Sequence, residues 1–314
     1  MIEGFKLGKK VAEQSGDVFN TLGNYALTCL MSYITGEPLG EVRKKSIDCI
    51  SCMKEQNMVA FIGLQAIFHC QIVALAEGNH MVDAETVDDV ISGEKQCLAS
   101  SEGNNDAMIS YESNRFVRAF LFRELDSESY NMADTIFDPT LPEEPFRAVT
   151  IFFVGLAAFY FAREEKDKLG DRVLKWMKIG EEALNKVECW SSHSAWTFQN
   201  KLLLLRAERN YCMGETESAK SLYEESILSA QEHKFIHEEG IAHELYGHFS
   251  LERGHRSDAL RSFNSSVKCY MDWGALAVAR RLEDFVRSNF PEERASLGLM
   301  TSFVEAYGTT EGEM

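Results

Sequence analysis

Proline is scarce in this chain, with five in 314 residues. Alternating apolar–polar runs are scarce too. Proline breaks helix interiors and alternation marks half-buried strands, so the two shortages together favour helices. Basic residues are in deficit, 32 against 49 acidic ones, for a formal net charge of −17. That average repels a phosphate backbone or an anionic bilayer, so neither nucleic acid nor membrane is an expected partner. The one notable basic cluster, "VRKK" from Val42 to Lys45, fits a solvated helix face. Long apolar runs are missing as well. The most apolar, Ala148 to Ala162, is bracketed by Arg147 and Arg163. It is too short to span a bilayer comfortably and is expected as a core helix. The opening "MIEGFKLGKKVAEQSGD" lacks the apolar core of a secretory leader, and eight cysteines lie scattered, mostly in apolar helical surroundings. Both point to reduced thiols in a cytoplasmic protein.

What is present is ordinary for a globular chain: 45% hydrophobic and 26% charged residues. The length suits one large domain or two smaller ones. Apolar residues recur at helical spacing through most of it. Helices are expected over 2–14, 18–35, 39–55 and 59–76, separated by short turns such as the one at Gly36, with Pro38 suited to the next first turn. Residues 77–105 are polar and acidic and read as a long connection with one or two short helices. Helices follow at 106–124 and 127–136. "FDPTLPEEP" then packs three of the five prolines into residues 137–145, the best candidate for a break between a first half, 1–136, and a second, 146–307. The second half reads as helices over 146–163, 170–188, 194–213, 216–232, 235–253, 256–271, 275–289 and 292–306. The tail 308–314 is expected to be disordered.

Two segments of the second half superpose without a gap: Leu204 to Ile227 over Glu244 to Val267. Ala207 falls on Gly247, Gly214 on Gly254, Ala219 on Ala259, Tyr223 on Phe263 and Ser226 on Ser266. A small residue lets two antiparallel helices approach, and a glycine turns the chain between them. The alanine packs into the crossing, and the aromatic fills the gap to the next hairpin. A hairpin of this kind buries its apolar face only by stacking. The expected fold class is therefore all-α, an α-solenoid of antiparallel helical hairpins.

The order small residue, glycine, alanine, aromatic resembles a tetratricopeptide (TPR) repeat, at a longer period. "NYALTCLMSYITGEPLGEV", "NKLLLLRAE", "AKSLYEESILSAQEHKFIHEEGIAHELYGHFSLERG" and "CYMDWGALAVARRLE" together are similar to the TPR-like region of large multidomain signalling ATPases. In that family a kinase-like domain and an AAA (STAND-like) ATPase precede the helical region, and GAF, histidine-kinase or cyclase modules often follow it. The resemblance implies a right-handed TPR-like solenoid and a non-catalytic scaffold for protein–protein or interdomain contact. This chain looks like the repeat region alone, a fragment or a separate small gene product. The family's ATPase residues do not carry over. "GFKLGKK" (Gly4 to Lys10) is one residue short between its glycines for a phosphate-binding loop, and Lys10 stands where Ser or Thr must meet magnesium.

Two candidates for chemistry remain. Five of eight histidines fall between His233 and His255. A zinc-protease helix needs H-E-x-x-H, with two imidazoles on one face. His243 and His248 are instead five residues apart, about 140° around a helix. A metal-dependent hydrolase on this His/Glu-rich helix is thus the weaker alternative. "CISC" (Cys49, Cys52) lies within an amphipathic helix and lacks a second pair, so ordinary helical thiols are expected. No catalytic, metal or cofactor residue is nominated.

The resemblance instead implies a partner-binding groove. In TPR arrays the first helix of each hairpin lines the concave face. The corresponding inward positions here are Lys201, Leu204, Glu208 and Tyr211, then Ile241, Glu244, His248 and Leu251. The co-chaperone type of TPR clamps a C-terminal carboxylate with Lys and Asn. Glu208 and Glu244 point to a basic or mixed partner, either a separate protein or a neighbouring domain of a larger signalling protein. A groove filled by the same chain is the alternative. A free-standing TPR-like adaptor is the other scaffold possibility.

Overall fold

The computed structural model describes residues 2–83, 86–87, 91–100, 105–136, 145–164 and 171–291. The described residues are almost wholly α-helical. The exception is a two-stranded antiparallel pair, β1 (Thr86–Val87) against β2 (Ile91–Ser92). None of the described helices is long and apolar enough to cross a membrane. The chain divides into two compact units, Met1–Arg147 and Ala148–Met314. The expected break at 137–145 falls outside the described residues except for Pro145, which opens a helix. The expected helix at 292–306 and the tail at 308–314 also lie outside them.

In the first unit, α1 (Ile2–Ser15), α2 (Val18–Ile34), α3 (Leu39–Glu55) and α4 (Val59–Glu77) follow one another through short turns. Asp17 caps α2, its carboxylate accepting from Asn20 N at 3.0 Å and satisfying one of the orphan amides of the first turn. Pro38 stands at the N-cap of α3, one residue before the first turn. Much of α4 is sunk in apolar packing. Its polar side chains are answered from neighbouring helices: Gln65 Nε2 donates to Ser46 Oγ at 3.1 Å, and Gln71 Nε2 to Tyr33 Oη at 3.3 Å. Among its described residues the connection at 77–105 contains the expected short helix, α5 (Glu94–Ser100), together with a 3₁₀ turn (Asn79–Asp83) and the β pair. After it come α6 (Asn105–Leu121) and α7 (Ser127–Ile136). Helix α6 stops three residues short of the expected end. Arg123 there takes a left-handed backbone (φ 59°), and Asp126 then accepts from the Ser129 amide to begin α7.

The second unit holds α8 (Pro145–Glu164), apart from its first residues, then α9 (Asp171–His193), α10 (Ala195–Met213), α11 (Thr216–His233), α12 (Ile236–Glu252), α13 (Arg256–Trp273) and α14 (Leu276–Asn289). The apolar run is α8, buried along nearly its whole length from Thr150 to Ala162. Helix α9 runs five residues past its expected end. From α9 to α14 each helix packs on the next, most extensively α10 with α11 and α12 with α13. Gly214 and Gly254 both have φ near +80°, a left-handed turn that a β-carbon would strain. Ala207, Ala219, Ala259, Tyr223 and Phe263 are fully buried.

Close approach is as severe at Gly247 as at Gly180. A β-carbon on Gly247 would lie 2.6 Å from Phe263 Cε1. Phe263 cannot yield, since it is enclosed by His248, Phe285 and Phe290. Gly247→Ala is expected to destabilise the protein by about 1–3 kcal/mol through overpacking. Gly23→Ala in α2, with nothing within 4 Å of the new carbon, is expected to stabilise by up to about 1 kcal/mol. Urea denaturation of both variants checks the pair of signs.

Candidate functional site

The repeat extends below the level of residue identity to individual hydrogen bonds. Ser226 Oγ on α11 donates to the Asn200 carbonyl of α10 at 2.8 Å. At the equivalent place in the next hairpin, Ser266 Oγ on α13 donates to the Gly240 carbonyl of α12 at 2.7 Å. The left-handed residues Lys234 (φ 62°) and Gly274 (φ 89°) close α11 and α13 at the same register. The two hairpins are thus one design used twice, and α10 and α12 are equivalent first helices.

Of the eight candidate groove residues, Lys201, Leu204, Glu208, Tyr211, Ile241 and Glu244 are buried. His248 and Leu251 are half-buried. The expectation of an acidic groove therefore changes. Glu208 and Glu244 are only 1% and 3% exposed. An unpaired carboxylate at that depth is too costly, so each meets its counter-charge within the chain.

The pairings link alternate helices. Arg163 Nη1 of α8 donates to Glu208 Oε2 of α10 at 2.6 Å, while Tyr223 Oη of α11 donates to Glu208 Oε1 at 2.6 Å. Lys201 Nζ of α10 lies 2.6 Å from Glu238 Oε1 of α12. Tyr211 Oη of α10 donates to Glu252 of α12. Arg281 of α14 grips Glu244 of α12 with both terminal nitrogens, at 2.7 and 2.9 Å, and Tyr270 Oη of α13 completes that carboxylate at 2.9 Å. A glutamate answered by one arginine and one tyrosine thus occurs twice. Together the pairs form a ladder across α8, α10, α12 and α14.

The electrostatics follow from burial and pairing. Burial alone would push the Glu238 carboxyl up. The Lys201 ammonium and the neighbouring His237 outweigh it and hold the group down at about 2. Burial and the adjacent Glu208 carboxylate drive the Tyr223 phenol well above its ordinary value, so it acts as a donor. Burial lowers His243, which favours its neutral form.

The histidines disperse. His237 packs its ring 5.2 Å from Trp273, His243 lies beside Glu239, and His248 sits between Phe263 and Phe285. Among the described residues no three His, Cys, Asp or Glu side chains come together to hold a metal ion. Cys49 is buried and Cys52 half-buried, both as free thiols. Contact with Cys29 and burial push the Cys49 thiol well up, away from the reactive thiolate. The ladder residues Arg163, Glu238, Tyr270 and Arg281 are not among the eight candidate groove residues. Their partners lie 26 to 45 residues away. The one local hint was a charge placed at the end of a very apolar helix, as at Arg163. No family model, curated protein or solved structure matches this chain.

Glu238→Gln leaves the Lys201 ammonium, 2% exposed, without its counter-charge. A loss of about 3–5 kcal/mol is expected. The double variant Lys201→Met/Glu238→Gln should lose distinctly less. Because the Glu238 carboxyl is held below its ordinary 4.5, its stabilisation is complete above that value and disappears as pH falls towards 2. That stabilisation is on the order of 3 kcal/mol. Chemical denaturation across this range should show a shallower acid loss in the double variant than in the natural protein.

Proposed function

We propose that this chain is a non-catalytic helical-repeat scaffold, a right-handed TPR-like α-solenoid whose first helices line a partner-binding face. Its role is protein–protein or interdomain contact, as in the TPR-like region of AAA/STAND-type signalling ATPases that its sequence resembles. The observation that carries this is the repeated hairpin, down to the Ser226–Asn200 and Ser266–Gly240 hydrogen bonds at equivalent positions. Stacked copies of one hairpin are built to present an extended surface rather than an enclosed reaction centre. The ladder adds a mechanical element. A partner that displaces α12 acts on α10 through Lys201–Glu238 and on α14 through Glu244–Arg281.

Within the candidate groove, docking falls to the half-buried His248 and Leu251, because the other six members are buried. A photo-crosslinking amino acid at Leu251 should capture a polypeptide in cells. The same probe at Leu228 on α11, 63% exposed, should not. Equal capture from both positions, or from neither, counts against this face. Stoichiometric zinc in the purified protein that is lost in His243→Ala would favour the metal-dependent hydrolase instead.

A further inference from the structure

Helix α1 opens the stack α1–α4 and packs on α2. Its inner side carries Gly8 and Ala12. Ala12 is buried, and a β-carbon on Gly8 would lie 2.7 Å from Asn24 Oδ1 of α2. At about 100° per residue, Leu7 and Val11 fall close together on the outer side. They are 62% and 56% exposed. A β-carbon on Gly4 would meet nothing within 4 Å, so a neighbouring helix could come close there. The outer face of an end helix in a stacked array is ordinarily polar. Here it is apolar. Of the ten exposed large apolar side chains among the described residues, five belong to α1 and α2, so such surface concentrates on this hairpin.

Charge narrows what can cover α1. Residues 2–34 hold Lys6, Lys9 and Lys10 against Glu3, Glu13 and Asp17, three of each sign, for a net charge of zero. The whole net charge of −17 therefore arises from residues 35–314. An anionic bilayer gains nothing from a neutral hairpin, and a basic protein is drawn to the acidic remainder instead. Two copies of this chain repel each other over that remainder, but not here.

The outer side is also self-complementary. When two α1 helices lie antiparallel about a twofold axis level with Lys9, Leu7 of each copy falls on Val11 of the other. Gly4 then lies beside Gln14 of the other copy. On one flank Lys6 comes level, within one residue, with Glu13 of the other copy, and the symmetry makes this contact twice. Within one copy Lys6 meets Glu3 at 2.8 Å and Glu13 meets Lys9 at 3.6 Å. Both are exposed contacts of small worth, which a new partner can replace.

We propose that α1 is a self-association surface, on which the apolar side of one chain seats antiparallel on that of a second copy. A single pair of helices buries less than the roughly 1,200–2,000 Å² of a standard interface, so the dimer is weak and reversible. It doubles the chain while leaving the candidate groove of the second unit unused, and so offers two grooves to a multivalent partner.

Sedimentation velocity of the full chain between about 1 and 200 μM tests this. The mass should rise from that of one 35.5 kDa chain towards twice that value. Leu7→Gln/Val11→Gln should raise the midpoint concentration at least about tenfold. Its helical circular dichroism should be unchanged, because neither side chain is buried. Lys6→Glu and Glu13→Lys should each raise the midpoint about threefold, and Lys6→Glu/Glu13→Lys should restore it. If a variant loses helicity, hydrogen exchange on the natural protein decides, with protection of Ile2–Ser15 expected to grow with concentration. The proposal is overturned if the chain stays monomeric throughout, if the dimer survives loss of Leu7 and Val11, or if the double charge swap is no better than the single ones. A monomeric chain that instead pellets with phosphatidylserine–phosphatidylcholine vesicles overturns it too.

Discussion

The unit Ala148–Met314 depends on the cost of burying a carboxylate. Glu208, Glu238 and Glu244 are no more than 4% exposed. Each must be met by a cation and further donors, or the helices cannot close over it. Apolar helix faces fit together in several registers at small cost, because dispersion contacts have little direction. A two-pronged arginine–carboxylate contact such as Arg281–Glu244 has one good geometry. The ladder therefore selects the register of α8, α10, α12 and α14. The small and aromatic residues of the repeat set how near neighbouring helices come.

The same constraint operates within Met1–Arg147. There Arg118, Glu94, Gln71 and Tyr33 join α2, α4, α5 and α6 through buried polar contacts. Asn114 Nδ2 on α6 adds a bond to the Ile67 carbonyl of α4 at 3.2 Å. In the second unit the buried ion pairs run from one helix to its next-but-one neighbour and repeat the same chemistry. In the first the polar contacts converge beside a cleft lined from the Asn79–Asp83 turn, α5, α6 and α7.

Much of the helical order could be read from the chain. The periodic apolar positions, the turns at Gly36, Gly214 and Gly254 and the match of one hairpin to the next all follow from local spacing, which neighbouring residues report directly. The short helix expected in the polar connection at 77–105 is α5, where Glu94 pairs with Arg118, 24 residues away. A departure occurred where long-range contacts overrode local signals. Helix α9 continues through "CWSSH" although the apolar pattern fades there, its Ser191 hydroxyl donating to Gln199 of α10 at 3.1 Å. The candidate groove was legible as a set of positions on two equivalent helices. The state of those positions was not, since a glutamate reads alike whether it faces water or an arginine 37 residues further on.

By itself the sequence determined that this is a helical chain with a repeated hairpin in its second half. Helical period, turn glycines and small-residue positions are properties of residues a few places apart. Tertiary structure decided which charges are spent inside the protein. It turned Lys201, Glu208 and Glu244 from prospective contacts into internal struts. It also brought Asn79, Arg115 and Glu124 to one cleft. Desolvation is the physical reason: a charged side chain's role depends on how much water the surrounding helices remove from it, and that is known only once distant segments have packed together.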